Sequence, residues 1–259
     1  MPDSAVRLAV LIDADNASVN LIGDILAETA SLGTVTVKRV YGDFTTENLK
    51  SWGPVLAEHA IQPIQQYRNT VRKNASDSAL IIDAMDLLHS RRLDGFCLVS
   101  SDSDFTRLAT RIKEDGLPVY GFGEQKTPNS FVKACDRFIY TEVFKVKLRE
   151  DVPPAEGEAS GPGATVETAA AAPIVTLRNI DDDDFKDALT RAIDAATPTD
   201  GNRAHLGTVG LHLQKLLPEF DARNYGFKKL SDLFSKIPTV KLSREGTEGG
   251  PQTVYVERK

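Results

Sequence analysis

Residues 6–16 read VRLAVLIDADN, a short apolar run that ends directly in acidic residues. The run predicts a buried β-strand at 6–13, because a membrane helix needs about 18 to 20 apolar residues. Residues 95–105, GFCLVSSDSDF, repeat this pattern, with Asp102 and Asp104 following the apolar segment. In both stretches, carboxylates stand where a predicted strand ends.

Strand and helix patterns alternate over residues 1–149. Strands are predicted at 6–13, 34–41, 61–67, 95–100, 118–123 and 138–141, and helices at 18–32, 47–60, 76–90, 105–114 and 129–135. Strands alternating with helices of about 10 to 15 residues favour an α/β domain with a mostly parallel sheet and helices on both faces.

The second half of the chain has a different composition. Residues 150–176 contain 14 Ala, Gly or Pro among 27 residues, five acids, and no aromatic or basic residue. Such a segment cannot bury enough apolar surface to order itself, which predicts a flexible linker. Residues 177–259 follow it as a second domain, with helices at 185–196, 206–217 and 225–237 and strands at 239–242 and 253–257. Three helices followed by a hairpin are typical of a winged helix-turn-helix.

The net charge of −6 and the pI of about 5.3 would argue against a nucleic-acid partner if the charge were spread evenly. It is not: residues 1–149 carry 18 basic and 19 acidic residues, and the linker carries five acids and no base. Residues 203–259 carry 10 basic and 6 acidic residues, a local charge of +4. RNA therefore remains a candidate partner, with modest affinity that weakens as salt rises.

The cellular setting is predicted from the cysteines and the hydropathy. Cys97 and Cys135 are far apart and form neither a disulfide framework nor a zinc-ligand spacing, which favours a reducing, cytoplasmic location. The short apolar run at the start of the chain is followed by acids, so it predicts a strand and not a signal peptide. No membrane association is expected.

Asp77 opens the predicted helix 76–90. At 100° per residue, the apolar residues Leu80, Ala84 and Leu88 fall on the same helix face as Asp77. A carboxylate in the first turn of a buried face points along the edge of the sheet. Asp77 is therefore expected beside the strand ends.

Four carboxylates are expected to converge at this edge, where ligands bind in open α/β sheets. They are Asp13, Asp77, Asp102 and Asp104. Two unit charges about 4 Å apart repel by about 4 kcal/mol at an effective dielectric of 20, so protons or a cation must compensate. Oxygen ligands select a hard cation, which predicts Mg²⁺ or Mn²⁺. For each aspartate alone, helix capping or the helix dipole explains its position better than a metal does, and only the four together favour the metal.

Polar residues beside these acids have two interpretations each. Asn16 supports a metal ligand or orients water, or it caps the next helix. Ser100, Ser101 and Ser103 contact phosphate, or they are small residues in a tight turn.

Basic residues near the acidic edge are candidate RNA contacts. Arg68, Arg72 and Lys73 lie in the loop that leads into the helix of Asp77, and Lys126 lies in the loop after the strand 118–123. A basic rim around an acidic centre suits a phosphodiester, although a solvated loop explains the same charges. In the C-terminal domain, Tyr225, Lys228 and Lys229 begin the third helix and are candidates for stacking on bases or binding phosphate. Phe227 and Phe234 fit the core at helical spacing.

Several motifs resemble known families. LIDADN, KNASDSALIIDAMDLLHS, GFCLVSSDSDFTRLATRIKEDG and VYGFGEQKTPNSFVKACDRFIY together resemble the NYN domain, a branch of the PIN-like nucleases, over residues 5–145. LGTVGLHLQKLLPEFDARNYGFKKLSDLF and the closing VYVER resemble the LOTUS domain, also called OST-HTH, over residues 185–257.

The resemblance implies a three-layer α/β PIN-like domain with metal-dependent ribonuclease activity, joined to a small winged-helix RNA-binding module. The acidic positions of the family fall on Asp13, Asp77, Asp102 and Asp104, with Asn16 alongside. LOTUS domains bind RNA, in some cases G-rich or quadruplex RNA, and in others they bind helicase partners.

Two function hypotheses follow, and a third is weaker. The first is an endoribonuclease in which Asp13, Asp102 and Asp104 hold Mg²⁺ or Mn²⁺, and Asp77 binds the metal through water or acts as a general base. The second is a non-catalytic RNA-binding regulator or adaptor with a vestigial acidic site. The third is a phosphatase of the haloacid dehalogenase class, from the spacing of Asp13 and Asp15. The RNA would be single-stranded or structured, and the sequence leaves a homodimer open.

Overall fold

The computed structural model describes residues 6–67, 75–145, 178–198, 201, 203–245 and 253–259. The predicted linker 150–176 and the loop residues Arg68, Arg72 and Lys73 lie outside these ranges. The predicted domain limits, 1–149 and 177–259, stay a prediction. Within the part of the chain that the structure describes, no helix combines the length and the apolar character that a membrane span requires.

The N-terminal domain is built on a six-stranded sheet. Its strands are β1 (Arg7–Asp13), β2 (Thr34–Gly42), β3 (Gln62–Gln65), β4 (Gly95–Val99), β5 (Val119–Gly123) and β6 (Arg137–Tyr140). Their order is β3-β2-β1-β4-β5-β6, and each neighbouring pair is parallel. The chain winds outward in both directions from β1 and β4. The carboxyl ends of these two strands therefore border the topological switch point, where open α/β sheets form a crevice.

Helices cover both faces of the sheet. They are α1 (Ile22–Leu32), α2 (Trp52–Glu58), α3 (Ala75–His89), α4 (Thr106–Glu114) and α5 (Asn129–Ala134). Successive residues of β1 lie on opposite faces of the sheet. Leu11 packs in one core with α3, α4 and α5, whereas Val10 packs in the other core with α1 and α2. A strand buried on both sides must be apolar throughout, which explains the continuous run in the sequence. The three-layer α/β fold is confirmed.

The region 47–60 differs from the single predicted helix. It forms a 3₁₀ helix at Glu47–Leu49 and a separate short helix, α2. Pro54 has no N–H with which to continue a helical ladder, so the chain makes a 3₁₀ turn and restarts. The prediction of one long helix was wrong at this point.

The described residues of the C-terminal domain form three α-helices and a three-stranded antiparallel sheet. The elements are α6 (Asp183–Ala196), β7 (Arg203–His205), α7 (Leu206–Leu216), α8 (Leu230–Ser235), β8 (Val240–Glu245) and β9 (Thr253–Arg258). The strand order is β7-β9-β8. The helices and the β8–β9 hairpin match the predicted winged helix, and β7 was not predicted because three residues carry no pattern.

The third helix begins later than predicted. Residues Ala222–Tyr225 form a 3₁₀ helix, and Gly226 follows with φ of 83°, a left-handed conformation that ends it. Glycine adopts this conformation without the penalty of a Cβ atom. The helix α8 starts at Leu230.

Candidate active site

Three carboxylates meet at the carboxyl edge of the parallel sheet. Asp102 and Asp104 follow β4, and Asp77 lies in the first turn of α3. One oxygen atom from each of the three lies within 4.8 Å of the others. Asp77 and Asp102 are half-buried, and Asp104 is exposed. The group thus combines partial burial with access from solvent.

Asp13 lies at the end of β1 beside this group but does not join it. It is 1% exposed. Its Oδ2 accepts hydrogen bonds from Asn16 Nδ2 at 2.7 Å and from Ser100 Oγ at 2.8 Å, and its Oδ1 accepts from the backbone N–H of Asp15 at 3.1 Å. Burial raises the pKa of Asp13, and these hydrogen bonds partly oppose the rise. These contacts connect Asp13 to the residues that follow β1 and β4. The burial of Asp13 argues against the phosphatase hypothesis, because a nucleophile must reach its substrate.

Ser100 connects the two strand ends. Its hydroxyl donates to Asp13 Oδ2 and accepts from the backbone N–H of Asp102 at 3.0 Å. Asp102 Oδ1 in turn accepts from the backbone N–H of Asp104 at 2.9 Å. The chain of hydrogen bonds Asp13–Ser100–Asp102–Asp104 fixes the turn that carries two of the three clustered acids. The sequence offered no signal for this role beyond a polar residue at the end of an apolar strand.

The position of α3 is fixed by a second carboxylate on the same helix. Asp83 accepts hydrogen bonds from the Arg39 guanidinium and the Tyr41 hydroxyl, both on β2. These contacts hold the helix against the sheet six residues beyond Asp77. Helical periodicity does not reveal this contact, because at 100° per residue Asp83 falls between the buried and exposed faces of the helix.

The electrostatics of the cluster favour a cation. Burial raises the pKa of Asp77 to about 6, with further contributions from the negative charges of Asp13, Asp102 and Asp104. Two unit charges within 4.8 Å of each other repel by about 3 kcal/mol or more at an effective dielectric of 20. A group of carboxylates in this state either binds protons or binds a positive ion.

The donor set fits a hard divalent ion. All three groups offer carboxylate oxygens, which Mg²⁺ and Mn²⁺ prefer over softer ligands. The three oxygens lie within 4.8 Å of one another, so the three groups would hold a single ion between them.

The raised pKa of Asp77 predicts a pH-dependent stability. Since the folded state binds this proton more tightly than the unfolded state, the contribution of Asp77 is fully present below pH 4 and is lost as pH rises through about 6. In EDTA, we therefore expect Asp77→Asn to melt at a higher temperature than the wild type at pH 7.5, and the gap to narrow at pH 5. The fluorescence of Trp52, the single tryptophan, reports this transition. If the difference in melting temperature between Asp77→Asn and the wild type does not change with pH, the raised pKa of Asp77 is contradicted.

The predicted basic rim is only partly described. Lys126 lies in the loop after β5 and forms a 2.7 Å ion pair with Glu124 of the same loop. The backbone N–H of Glu124 donates to Ser101 Oγ at 2.8 Å, which ties this loop to the turn after β4. Arg68, Arg72 and Lys73 lie outside the described residues.

The candidate contacts of the C-terminal domain separate into two groups. Lys228 and Lys229 are exposed directly before α8. Tyr225 is 7% exposed, with its ring centroid 4.9 Å from that of Phe185 and 6.0 Å from that of Phe220. The burial of Tyr225 does not fit the prediction that it stacks on a base, and its role is in the core. Helical spacing alone could not separate the two roles.

A parallel three-layer domain with clustered carboxylates at its switch point has the architecture of the PIN-like nuclease fold. Residues 7–142 match the family model of the NYN domain, and residues 181–251 match that of the OST-HTH/LOTUS domain. The chain belongs to the NYN domain family and carries an OST-HTH/LOTUS domain after it. The first domain implies a nuclease fold, and the second implies RNA binding.

Two solved structures are similar to parts of the chain. A crystal structure of a protein of unknown function from Vibrio parahaemolyticus has 19% identity and a TM-score of 0.46, covering 53% of this chain and 94% of that one. A solution NMR structure of an uncharacterized protein from Nitrosomonas europaea has 28% identity and a TM-score of 0.28, covering 39% of this chain and 92% of that one. A search of curated proteins finds no match.

Proposed function

We propose that the chain is an endoribonuclease that depends on Mg²⁺ or Mn²⁺ and hydrolyses RNA phosphodiesters, with the OST-HTH domain binding the RNA. The observation that supports this proposal is the cluster of Asp77, Asp102 and Asp104 at the switch point of an NYN domain, with one oxygen of each within 4.8 Å of the others. The reducing cytoplasm suits the two buried, unpaired cysteines. A homodimer stays a prediction.

The clustered carboxylates would hold the cation. A bound divalent ion neutralises phosphate charge and makes a coordinated water more acidic. Asp102 and Asp104 supply negative charge from the turn after β4. Asp77 either helps to hold the ion or accepts a proton from the attacking water, and both roles require it ionised. Asp13 stays a proposed metal ligand at the end of β1. Ser100 and Asn16 act as positioning residues, because both donate hydrogen bonds to Asp13 Oδ2.

The RNA would contact basic residues of both domains. Arg68, Arg72, Lys73 and Lys126 are the proposed phosphate contacts around the acidic edge. Lys228 and Lys229 are the proposed contacts of the OST-HTH domain, where exposed lysines stand at the start of a helix. Because these contacts are electrostatic, we expect binding to weaken as salt rises.

Ser100 offers a test of the positioning role. We expect Ser100→Ala to slow RNA cleavage by about 10- to 100-fold, the usual effect of losing a residue that orients metal ligands. The variant leaves a buried oxygen of Asp13 with one hydrogen bond fewer and frees the turn that carries Asp102. Thr110→Ala, which removes an exposed hydroxyl of α4, is the control. A cleavage rate equal to that of the wild type would contradict the role of Ser100.

The function is tested with the full chain and end-labelled RNAs, one single-stranded and one structured. We expect internal cleavage with Mn²⁺ or Mg²⁺ and none in EDTA. Undiminished cleavage in EDTA would overturn the metal dependence. RNA binding without turnover at any divalent ion would instead favour the regulator or adaptor.

A further inference from the structure

The two domains contact each other through a ring of four alternating charges. Glu28 of α1 and Arg137 of β6 come from the NYN domain, and Asp221 and Arg223 come from the segment before α8. Glu28 binds Arg137 at 3.2 Å and Arg223 at 3.0 Å through its two oxygens. Asp221 binds Arg223 at 2.7 Å and Arg137 at 3.6 Å. Each carboxylate thus bridges two guanidinium groups, and the ring closes across the domain boundary.

This charge ring is largely removed from water. The side chains of Glu28 and Asp221 are 16% and 11% exposed, and those of Arg137 and Arg223 are 21% and 27% exposed. Burial alone would raise the pKa of Asp221, but the hydrogen bond and charge of Arg223 hold it below its usual value. A buried charge is tolerated only while its partners remain in place, and each member of the ring would lose one of its two partners if the domains separated.

Further contacts surround the charge ring. Arg178 binds Glu219 at 3.1 Å within its own domain and donates to the Tyr140 hydroxyl of β6 at 3.1 Å. The Arg223 guanidinium lies 5.8 Å from the centroid of the Phe144 ring. These contacts extend the interface along β6 and the residues that follow it.

A backbone hydrogen bond closes the edge of the sheet. The N–H of Phe138, in the edge strand β6, donates to the carbonyl oxygen of Pro218 at 2.7 Å. Unpaired N–H groups on an edge strand invite pairing with other chains, and proteins commonly cover such edges. Here the OST-HTH domain provides the cover.

We propose that the charge ring docks the OST-HTH domain on the β6 edge of the NYN domain, and that docking sets which phosphodiester of a bound RNA reaches the acidic cluster. The segment that contributes Asp221 and Arg223 continues directly into Lys228 and Lys229. Docking therefore holds the proposed RNA contacts at a fixed place relative to Asp77, Asp102 and Asp104. The second half of this inference rests on the proposed ribonuclease function, whereas docking itself does not.

Docking is measured by single-molecule energy transfer in the full chain. Cys97 and Cys135 are buried, so cysteines introduced by Glu58→Cys and Ser235→Cys, at exposed positions of the two domains, take the dyes. We expect one narrow distance distribution. Glu28→Lys places a positive charge against two arginines and should broaden it. Glu47→Lys makes the same change at an exposed surface ion pair with Lys50 and should leave the distribution narrow.

Two outcomes would overturn docking by the charge ring. One is a broad distance distribution in the protein with an intact ring, and the other is a narrow distribution that Glu28→Lys leaves unchanged. Far-UV circular dichroism verifies that each variant is folded.

RNA positioning is measured by mapping the cleavage sites on a structured RNA. We expect the wild type to give a dominant product, and Glu28→Lys to lower the share of that product several-fold by spreading cuts over neighbouring positions. An RNA of about six nucleotides, near the footprint of a single binding module, should be cut equally by both. Unchanged cleavage sites in an undocked variant would overturn the positioning role. If the wild type cuts no RNA, the proposed function fails, and the energy-transfer result still decides docking.

Discussion

Asp102→Asn is expected to slow RNA cleavage by about 100-fold or more at saturating Mn²⁺, because losing even an outer partner of a metal ligand commonly costs 10- to 100-fold. The substitution removes one negative charge from the cluster of Asp77, Asp102 and Asp104. Asparagine retains a carbonyl oxygen that can accept the hydrogen bond from the backbone N–H of Asp104, now made to Asp102 Oδ1. The turn should therefore keep its shape, and the loss should be one of charge.

RNA binding should change little in this variant. The proposed phosphate contacts are lysines and arginines, and removing a carboxylate lowers the repulsion of the RNA backbone. Fluorescence anisotropy with labelled RNA in EDTA measures binding, and single-turnover kinetics with Mn²⁺ measures cleavage. A Mn²⁺-dependent rise in melting temperature should occur in the wild type and be reduced in Asp102→Asn.

Asp86→Asn is the matched control. Asp86 lies on the same helix as Asp77, but it is exposed on the outer face. Its replacement changes the total charge by the same amount and leaves the cluster intact. If Asp86→Asn and Asp102→Asn cleave RNA at the same rate, the cluster is not the catalytic site.

The position of the cluster could be predicted from the sequence because parallel strands fix it. Residues that follow β1 and β4 must lie at one edge of the sheet, whatever the details of the loops. The helical phase of Asp77 added a third group, since Leu80, Ala84 and Leu88 are buried on the face it shares. Periodicity and topology are properties of the chain pattern, and both are readable before any side chain is placed.

The division of roles among the acids could not be predicted in the same way. Asp13 and Ser100 are separated by 87 residues, and their hydrogen bond depends on the packing of β1 against β4. That contact involves Asp13 and none of the three acids whose oxygens lie within 4.8 Å of one another. Side-chain hydrogen bonds of this range leave no periodic trace in the sequence.

The domain interface could not be predicted from the sequence for a related reason. Glu28 and Arg223 are 195 residues apart and stand among many ordinary surface charges. The composition of residues 150–176 predicts a flexible linker, but it does not predict whether the domains it joins also make contact. The burial of Tyr225 could not be predicted either. Its ring packs in the core, although the nearby residues Lys228 and Lys229 are exposed.

Phe105→Ala is expected to destabilise the NYN domain by about 3 to 5 kcal/mol, the usual cost of deleting a buried phenyl ring. Phe105 ends the 3₁₀ helix Ser103–Phe105, is 1% exposed, and has its ring centroid 6.5 Å from that of Phe131. For a domain of this size, the loss corresponds to a fall in melting temperature of about 10 to 20 °C. Trp52 lies in the NYN domain and is 2% exposed, so its fluorescence follows the unfolding of that domain alone.

The variant Phe105→Leu tests whether an effect of Phe105→Ala comes from lost apolar packing or from a changed geometry of the site. Leucine keeps most of the buried apolar surface, so its cost should stay below about 1.5 kcal/mol. Asp104 immediately precedes Phe105, and the ring anchors the turn in which Asp102 and Asp104 are joined by a hydrogen bond. We therefore expect Phe105→Ala to reduce the Mn²⁺-dependent rise in melting temperature as well as the melting temperature itself, whereas Phe105→Leu should retain that rise. A full Mn²⁺ response in Phe105→Ala would mean that the turn holds its shape through the hydrogen bonds of Ser100 and Asp102 without the aromatic anchor.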